Sequence, residues 1–303
     1  MTEQQRSFGG IFLTEGVPFP PAGGPDRLRY LEENGLKALE VSSVEYDAAM
    51  DVLGPRASAI PQMSEPLVEP DDSARRAIQR EKRLEWVEFS SALDSAVLDA
   101  LRPHVTLAES SAVEALNFLE DHRLAETAHE SIHRCAFIRS GLFGCPITFS
   151  DGQFWTQCLV QTSHIRMGLS AGFTGDDDCS ICGRPLADCD HILGATYDVV
   201  ASRDTGGNCG LCGSVSCEHI PGVSYPTVAY GIIRKAELEE VSLVPRPRFP
   251  LARLNKITID LPGGLPADSR VVEAATRGIL NCDVCLGPCK GFGGYPSPML
   301  TQP

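Results

Sequence analysis

A motif rich in cysteine and histidine occurs twice in this chain and constrains its fold more than any other feature. The first copy, at residues 179–197, reads CSICGRPLADCDHILGATY, and the second, at residues 209–225, reads CGLCGSVSCEHIPGVSY. Both contain Cys-x-x-Cys-Gly, then Cys, an acidic residue, His-Ile, one residue, Gly, two residues and Tyr. Only the central spacer differs between the copies, so the repeat predicts two similar local structures.

Each copy supplies three thiols and one imidazole, a donor set that suits zinc and closes its tetrahedron. A closed site has no position for water or substrate, so the predicted role is to stabilise the fold. An iron–sulfur centre fits less well because histidine ligation is unusual there. The predicted ligands of the first zinc are Cys179, Cys182, Cys189 and His191, and those of the second are Cys209, Cys212, Cys217 and His219.

A third group of cysteines lies near the end of the sequence and has no histidine beside it. It comprises Cys282, Cys285 and Cys289, which predict a third zinc site with one ligand from elsewhere in the chain. The sequence leaves the missing ligand open, and the remaining cysteines are its candidates: Cys135, Cys145 and Cys158.

Charge and hydropathy narrow the classes of function. Lys and Arg total 26 against 40 Asp and Glu, a net charge of −14 that would repel a phosphate backbone. A zinc-finger nucleic-acid binder needs a basic patch, so we expect no nucleic-acid partner. No apolar run reaches the roughly 18–20 residues that span a bilayer, and the first residues do not resemble a secretion signal. We therefore expect a cytoplasmic protein with no membrane segment.

The pattern along the chain predicts an α+β protein with a mainly antiparallel β core that carries the two zinc knuckles and follows a helical region. Five regions are predicted: an arm and a small α/β piece (1–54), a proline-rich linker (55–75), a helical region (76–140), the β core (141–262) and a tail with one helix (263–303).

Particular elements follow from local signals. In the first region, RLRYLEE predicts a helix that ends at Asn34-Gly35, and LKALEVSS predicts a strand. Apolar residues at helical spacing predict a helix from Ala74 to Leu101 that Pro103 stops, and a second helix at about 110–134. A Ser-Asp-Gly turn predicts a hairpin within CPITFSDGQFWTQCLV. Further strands are predicted at 168–173, 195–201, 227–233, 237–244 and 255–260, and a helix near 267–280.

Three segments between about residues 141 and 260 together resemble the prohead proteases of tailed phages, serine endopeptidases of capsid maturation. MGLSAGF at 167–173 is similar to that family's Gly-Leu-Ser strand. The cysteine motif that follows is similar to an insertion that many members carry once. KAELEEVSLVPRPRFPLARL at 235–254 is similar to their Glu-Val-Ser-Leu-Val-Pro strand and proline turn.

The resemblance implies that Ser170 is a nucleophile, that Glu240 orients a histidine base, and that the partners are capsid or scaffold-like proteins. A serine hydroxyl needs an adjacent base. The family places that histidine on a strand before the serine, whereas the histidines here lie in other contexts. Only QTSHIRM, too short for the helix usual there, separates the hairpin from the serine motif. The candidate bases are His122, His129, His133 and His164.

Two functions remain open at this stage. The first is serine-dependent cleavage of head proteins on a prohead-protease-like core. The second is a non-catalytic, zinc-stabilised structural or protein-interaction module built on the same scaffold. A histidine within hydrogen-bonding distance of Ser170 would favour the first.

Overall fold

A computed structural model describes residues 8–9, 24–63, 70–259 and 269–289 of the chain. The chain divides into two compact units. The first unit contains residues up to Ser170 and from Leu243 onward, and the second contains Ala171–Ser242. Most of the arm predicted at 1–25 and the end of the tail lie outside the described residues.

The first helix, α1 (Gly24–Leu53), replaces the predicted short helix and strand. Asn34-Gly35 does not end it, because the Asn34 side chain donates to the Tyr30 carbonyl one turn earlier, at 2.7 Å. Gly35 is buried against Leu119, and a Cβ at residue 35 would lie 2.4 Å from the Leu119 Cγ. The glycine is therefore a point of close helix packing, which local sequence signals cannot distinguish from a helix end.

Two helices, α2 (Asp72–Ser91) and α3 (Ser95–Leu119), replace the single predicted run from Ala74 to Leu101. The chain leaves α2 at Ala92, buries Leu93, and starts α3 after Asp94, whose backbone is extended. A short helix of the 3-10 type, Gly54–Ala59, occupies the start of the predicted linker.

Pro103 lies inside α3, so the prediction that it stops the helix is wrong. A proline within a helix costs about 3 kcal/mol because it removes one backbone hydrogen bond and crowds the preceding turn. Leu101 and Val105 on either side are buried in the core, and burying each such side chain contributes about 1.5–3 kcal/mol. Tertiary packing therefore outweighs the local penalty.

The fourth helix, α4 (Ala125–Phe143), packs with α1 and α3 to form the apolar core of the first unit. Small residues line the contacts of α1 and α3, among them Ala38, Ala112 and Ala115, and they let the two helices approach closely. A second buried cluster surrounds Trp86 of α2. Most of the buried apolar side chains therefore lie in the helices, although the sequence analysis placed the core in the β region.

A small antiparallel sheet completes the first unit. The predicted Ser-Asp-Gly hairpin is present as β2 (Thr148–Ser150) and β3 (Gln153–Thr156), with positive φ at Asp151 and Gly152. The strand β1 (Phe8–Gly9) pairs with β8 (Lys256–Ile259), which in turn pairs with β3. Two short helices, α5 (Leu159–Ile165) and α6 (Ser269–Thr276), lie in this unit as well.

The second unit contains the motif repeat and a pair of two-stranded sheets. β4 (Gly168–Cys179) pairs with β7 (Gly231–Val244), and both strands begin or end in the first unit. β5 (Thr196–Val200) pairs with β6 (Ser224–Val228) in antiparallel register, with Val199 opposite Tyr225.

The α+β class, the antiparallel sheets and the helical region before them are confirmed. None of the described helices is both long and apolar enough to cross a membrane.

The contact between Gly35 and Leu119 makes a stability prediction. Gly35→Ala should lower the free energy of unfolding, because overpacking of a core costs about 1–3 kcal/mol and exceeds the gain of up to about 1 kcal/mol in helix propensity. Ser43→Ala, at an exposed position of α1, is the matched control and should change stability little. Denaturant unfolding measures both, and equal stability of the two variants would contradict the assigned contact.

Candidate metal centres

Among the residues that the structure describes, four groups of cysteine and histidine side chains each bring their donor atoms together and could hold a metal ion. Two are the predicted knuckles, one is built on the C-terminal cysteines, and one joins three histidines to a cysteine. The groups are Cys179, Cys182, Cys189 and His191; Cys209, Cys212, Cys217 and His219; Cys145, Cys158 and Cys282; and His129, His133, His164 and Cys289.

The first knuckle has donor separations that suit a tetrahedral ion. The Cys182 and Cys189 sulfurs are 3.5 Å apart, and the His191 Nδ1 lies 3.2 Å from the Cys189 sulfur. With Zn–N bonds of about 2.0–2.1 Å and Zn–S bonds of about 2.3 Å, the donors of a tetrahedral ion lie about 3.3–3.8 Å apart. The sulfurs are therefore too far apart for a disulfide and close to the spacing that one shared ion imposes.

The second knuckle repeats this geometry. The Cys209 sulfur lies 3.6 Å from the His219 Nδ1, the same distance that separates Cys179 from His191. The Leu211 N–H, 3.4 Å from the Cys209 sulfur, lowers the pKa of that thiol to about 6. Such a contact favours the thiolate, which is the form that binds metal.

The tyrosine and isoleucine at fixed positions of both motifs have a structural reason. The Tyr197 hydroxyl accepts a hydrogen bond from the Ile192 N–H at 2.8 Å, and the Tyr197 ring meets the His191 ring edge-on. In the second copy, Tyr225 makes the same two contacts with Ile220 and His219. Each tyrosine therefore fixes the orientation of the imidazole ligand, in the way that outer contacts commonly support metal ligands.

The two knuckles make equivalent backbone contacts on either side of the β5–β6 pair. Ser180 of the first knuckle donates to the Tyr230 carbonyl just after β6, at 2.9 Å. Gly210 of the second donates to the Ser202 carbonyl just after β5, also at 2.9 Å. The first knuckle therefore contacts the chain that follows β6, and the second knuckle contacts the chain that follows β5. The two copies of the sequence repeat make corresponding contacts.

The second unit has little apolar core of its own. Its buried apolar residues in the described part of the chain are Cys179, Ala201, Cys209 and Ala229, and two of these are candidate ligands. A unit of this size normally needs disulfides or metal when its core is so small. Metal bound at the two knuckles would therefore be the main constraint on the conformation of this unit.

The C-terminal cysteines Cys282 and Cys285 meet thiols from the middle of the sequence. Cys145, Cys158 and Cys282 form one group, and the Cys285 sulfur lies 3.3 Å from that of Cys158, which offers a fourth donor. Backbone hydrogen bonds hold the two segments together, among them Cys282 N–H to the Cys145 carbonyl at 3.0 Å. Of the three candidates for the missing ligand, Cys145 and Cys158 are in place, whereas Cys135 is buried outside the group.

The thiols of this third group differ in pKa, because ionisation of one thiol opposes ionisation of its neighbours. Hydrogen bonds from Cys158 and Cys282, and the nearby Arg139, lower the pKa of Cys145. Contact with Cys145 raises the pKa of Cys282 far above its usual range. A divalent cation would remove this competition, because a coordinated thiol is deprotonated.

Cys289 is the exception to the predicted third site. The short helix Val284–Leu286 ends at Gly287, whose extended backbone and the following proline carry the chain away from Cys285. The Cys289 sulfur instead lies 3.1 Å from the His164 Nε2 and 3.7 Å from the His129 Nε2. The prediction that it shares a site with Cys282 and Cys285 is therefore wrong.

The histidine group draws its donors from α4, α5 and the segment after Gly287. His129 and His133 are one helical turn apart on α4, with their Nε2 atoms 3.1 Å apart. His164 lies on α5, a short helix where the sequence analysis saw no room for one, and its Nε2 is 3.0 Å from that of His129. Three Nε2 atoms and one sulfur thus meet at one point.

The hydrogen bonds behind two of these rings orient their Nε2 atoms for binding a shared metal ion. The His129 Nδ1 faces the Glu126 carboxylate at 3.3 Å, and the His164 Nδ1 faces the Val160 carbonyl at 2.6 Å. Both partners accept hydrogen bonds, so each Nδ1 carries the proton and each Nε2 of a neutral ring presents a lone pair. Burial, with smaller contributions from His129 and His164, lowers the pKa of His133 to about 3. Lone pairs 3.0 Å apart repel each other, and either a proton on one Nε2 or a metal ion shared among them removes that repulsion.

Sequence reasoning missed this group, although one signal was available. His129 and His133 are spaced i, i+4 on a predicted helix, which places both on one face. The other two donors had no such signal, because His164 and Cys289 are 125 residues apart in the chain.

The residues that the resemblance assigns to serine catalysis are both exposed. Ser170 lies near the start of β4, and Glu240 lies on β7, where its side chain covers Gly172. Within the described residues, no histidine hydrogen-bonds to the Ser170 hydroxyl. Three of the candidate bases belong to the histidine group, and the fourth, His122, faces Glu32 at 3.6 Å. The roles of Ser170 and Glu240 stay predictions.

No family model, curated protein or solved structure matches this chain.

The second knuckle offers a matched pair of neighbouring residues for mutation. His219→Ala should lower the metal content by one ion per chain and lower the melting temperature, because an opened site loses metal that constrains a poorly packed unit. Glu218→Ala removes the exposed acidic neighbour, which is outside the donor set, and should leave both values unchanged. If both variants retained full metal content, His219 would be misassigned as a ligand.

Proposed function

We propose that this chain is a zinc-stabilised structural module that acts by binding protein partners, and that serine-dependent cleavage is not its activity. Thiolate and imidazole donors in tetrahedral arrangement favour zinc over hard cations. The two knuckles and the cysteine group place only side-chain donors around each ion. Closed sites of this kind organise a fold and leave no position for a reactant.

One observation favours a structural module over a serine endopeptidase. Three of its four candidate bases, His129, His133 and His164, turn their Nε2 atoms toward one another. An imidazole that binds a metal through Nε2 cannot accept a proton from a serine at that atom. Three of the four bases that could activate Ser170 therefore serve another site, and the fourth, His122, faces Glu32.

The surface of the second unit supports protein partners. Apolar side chains that would normally fill a core are exposed there, including Val200 and Val228 on one face of the β5–β6 pair. Clusters of exposed apolar residues commonly mark protein-binding sites. If the resemblance to the prohead proteases holds, the partners are capsid or scaffold-like proteins.

Serine endopeptidase remains the second candidate, because Ser170 is exposed within its Gly-Leu-Ser motif and Glu240 is also exposed. A fluorophosphonate probe, which labels only activated serines, separates the two. We expect no labelling of the wild-type protein beyond that of Ser170→Ala. Labelling of the wild type that Ser170→Ala abolishes would contradict the structural proposal.

A separate experiment tests whether the second unit binds protein partners. A photo-crosslinking amino acid at Val228 should form a defined adduct when the protein is co-expressed with capsid and scaffold-like proteins. The same amino acid at Ser43, an exposed position of α1, is the control and should form none. Absence of an adduct at Val228, or equal adducts at both positions, would contradict a specific surface on the second unit.

A further inference from the structure

The histidine group differs from the other three metal centres in its sequence context. On α4 the residues from His129 to His133 read HESIH, which is His-Glu-x-x-His on a helix. In this pattern both histidines bind zinc from one helical face, and the glutamate acts as a general base toward a zinc-bound water. If the His-Glu-x-x-His pattern occurred here by chance, no third histidine would be expected beside the two on α4. Here α5 supplies that donor, His164.

We propose that His129, His133 and His164 hold a hydrolytic zinc ion whose fourth position Cys289 occupies reversibly, and that Glu130 is the base for cleavage of an amide bond when the thiol leaves. This goes beyond the structural role proposed above and does not depend on it, since it concerns a separate site in the first unit.

The ligands of this site fall into two kinds. The three imidazoles lie on helices, and two of them are oriented through Nδ1 by Glu126 and by the Val160 carbonyl. Neither of these two orienting contacts involves Cys289. Three histidines with a fourth position for water form a known catalytic arrangement of zinc.

Cys289 is the exposed member of the group, whereas His129 is buried and the other two histidines are partly buried. Cys289 follows Pro288 in an irregular segment. The Arg75 side chain donates a hydrogen bond of 2.8 Å to the Pro288 carbonyl. A ligand that is exposed and lies outside any helix or strand can leave the ion without unfolding an element. Its departure opens a position that faces solvent, where water and a substrate can reach it.

Glu130 follows His129 directly and is exposed. Successive residues are about 100° apart around a helix. His129 and His133 are therefore about 40° apart on one face, and Glu130 lies beside that face. A carboxylate at this position borders the coordination site without being a ligand. The donor set bears this out, since Glu130 is not part of it.

The reaction balances without any redox partner. Glu130 takes a proton from the zinc-bound water, and the resulting hydroxide attacks the carbonyl carbon of the amide. The C–N bond then breaks, and the proton on Glu130 passes to the leaving nitrogen. The second proton of the original water also passes through Glu130 to the leaving nitrogen, so the products are a carboxylate and a protonated amine, and the ion and Glu130 return to their starting forms.

The test uses the full-length protein with Cys289→Ala, and with Cys289→Ala combined with Glu130→Gln. Native mass spectrometry counts the ions, calorimetry measures binding of acetohydroxamate, a small zinc chelator, and a quenched fluorescent peptide mixture reports cleavage. We expect Cys289→Ala to keep the wild-type ion count, to bind one acetohydroxamate that the wild type does not, and to cleave at least tenfold faster than wild type. Adding Glu130→Gln should return cleavage to the wild-type rate while leaving the ion count and acetohydroxamate binding unchanged.

Thr127→Ala, at an exposed position of α4, is the control in the Cys289→Ala background and should change none of these values. Loss of one ion from Cys289→Ala would overturn the proposal, because the thiol would then be a required fourth ligand of a structural site. A retained ion with no acetohydroxamate binding would overturn the opened position. Cleavage that is absent, or that Glu130→Gln leaves unchanged, would overturn the hydrolytic role.

Discussion

Both units bring together donor atoms that repel one another, and a metal cation bound among them would replace that repulsion with attraction. Cysteine and histidine donor atoms meet at distances of 3.0–3.7 Å, and the arginine side chains beside them, such as Arg203 next to Cys217, lie outside the donor sets. A structural zinc ion contributes about 10–16 kcal/mol in small domains near neutral pH. This is comparable to the total stability of a typical protein, about 5–15 kcal/mol. For the second unit, with cysteines and alanines as its buried apolar residues, no other interaction in the described residues approaches this size.

The first unit uses the same interaction for another purpose. Its helices already have an apolar core, so the ions there connect segments that are distant in sequence. The cysteine group joins the chain around Cys145 and Cys158 to Cys282 and Cys285, and the histidine group joins α4 and α5 to Cys289. A closed cysteine set suits a permanent connection. A set of three helical histidines with one exposed thiol suits a connection that can open, which is why the two centres are assigned different chemistry.

Sequence alone predicted the features whose signals are local. Both knuckles follow from ligands within a span of thirteen residues or fewer, and the hairpin follows from the positive φ that Asp151-Gly152 readily adopts. The strands predicted at 168–173 and 195–201 correspond to β4 and β5, whereas the strand predicted at 227–233 spans the break between β6 and β7. The features that failed depend on distant contacts: Gly35 is set by Leu119, Pro103 by the burial of Leu101 and Val105, and the partners of Cys289 by the arrangement of α4 and α5. The i, i+4 pair of histidines is the intermediate case, since its spacing was visible and its partners were not.

The central claim is that all four groups hold zinc in the same molecule. Native mass spectrometry of the full-length protein, purified without chelator and compared with the mass under denaturing conditions, counts the bound ions directly. The account predicts four zinc ions per chain, with the donors of all four groups converging as described. Fewer than four ions per chain, or iron as the main metal, would contradict it.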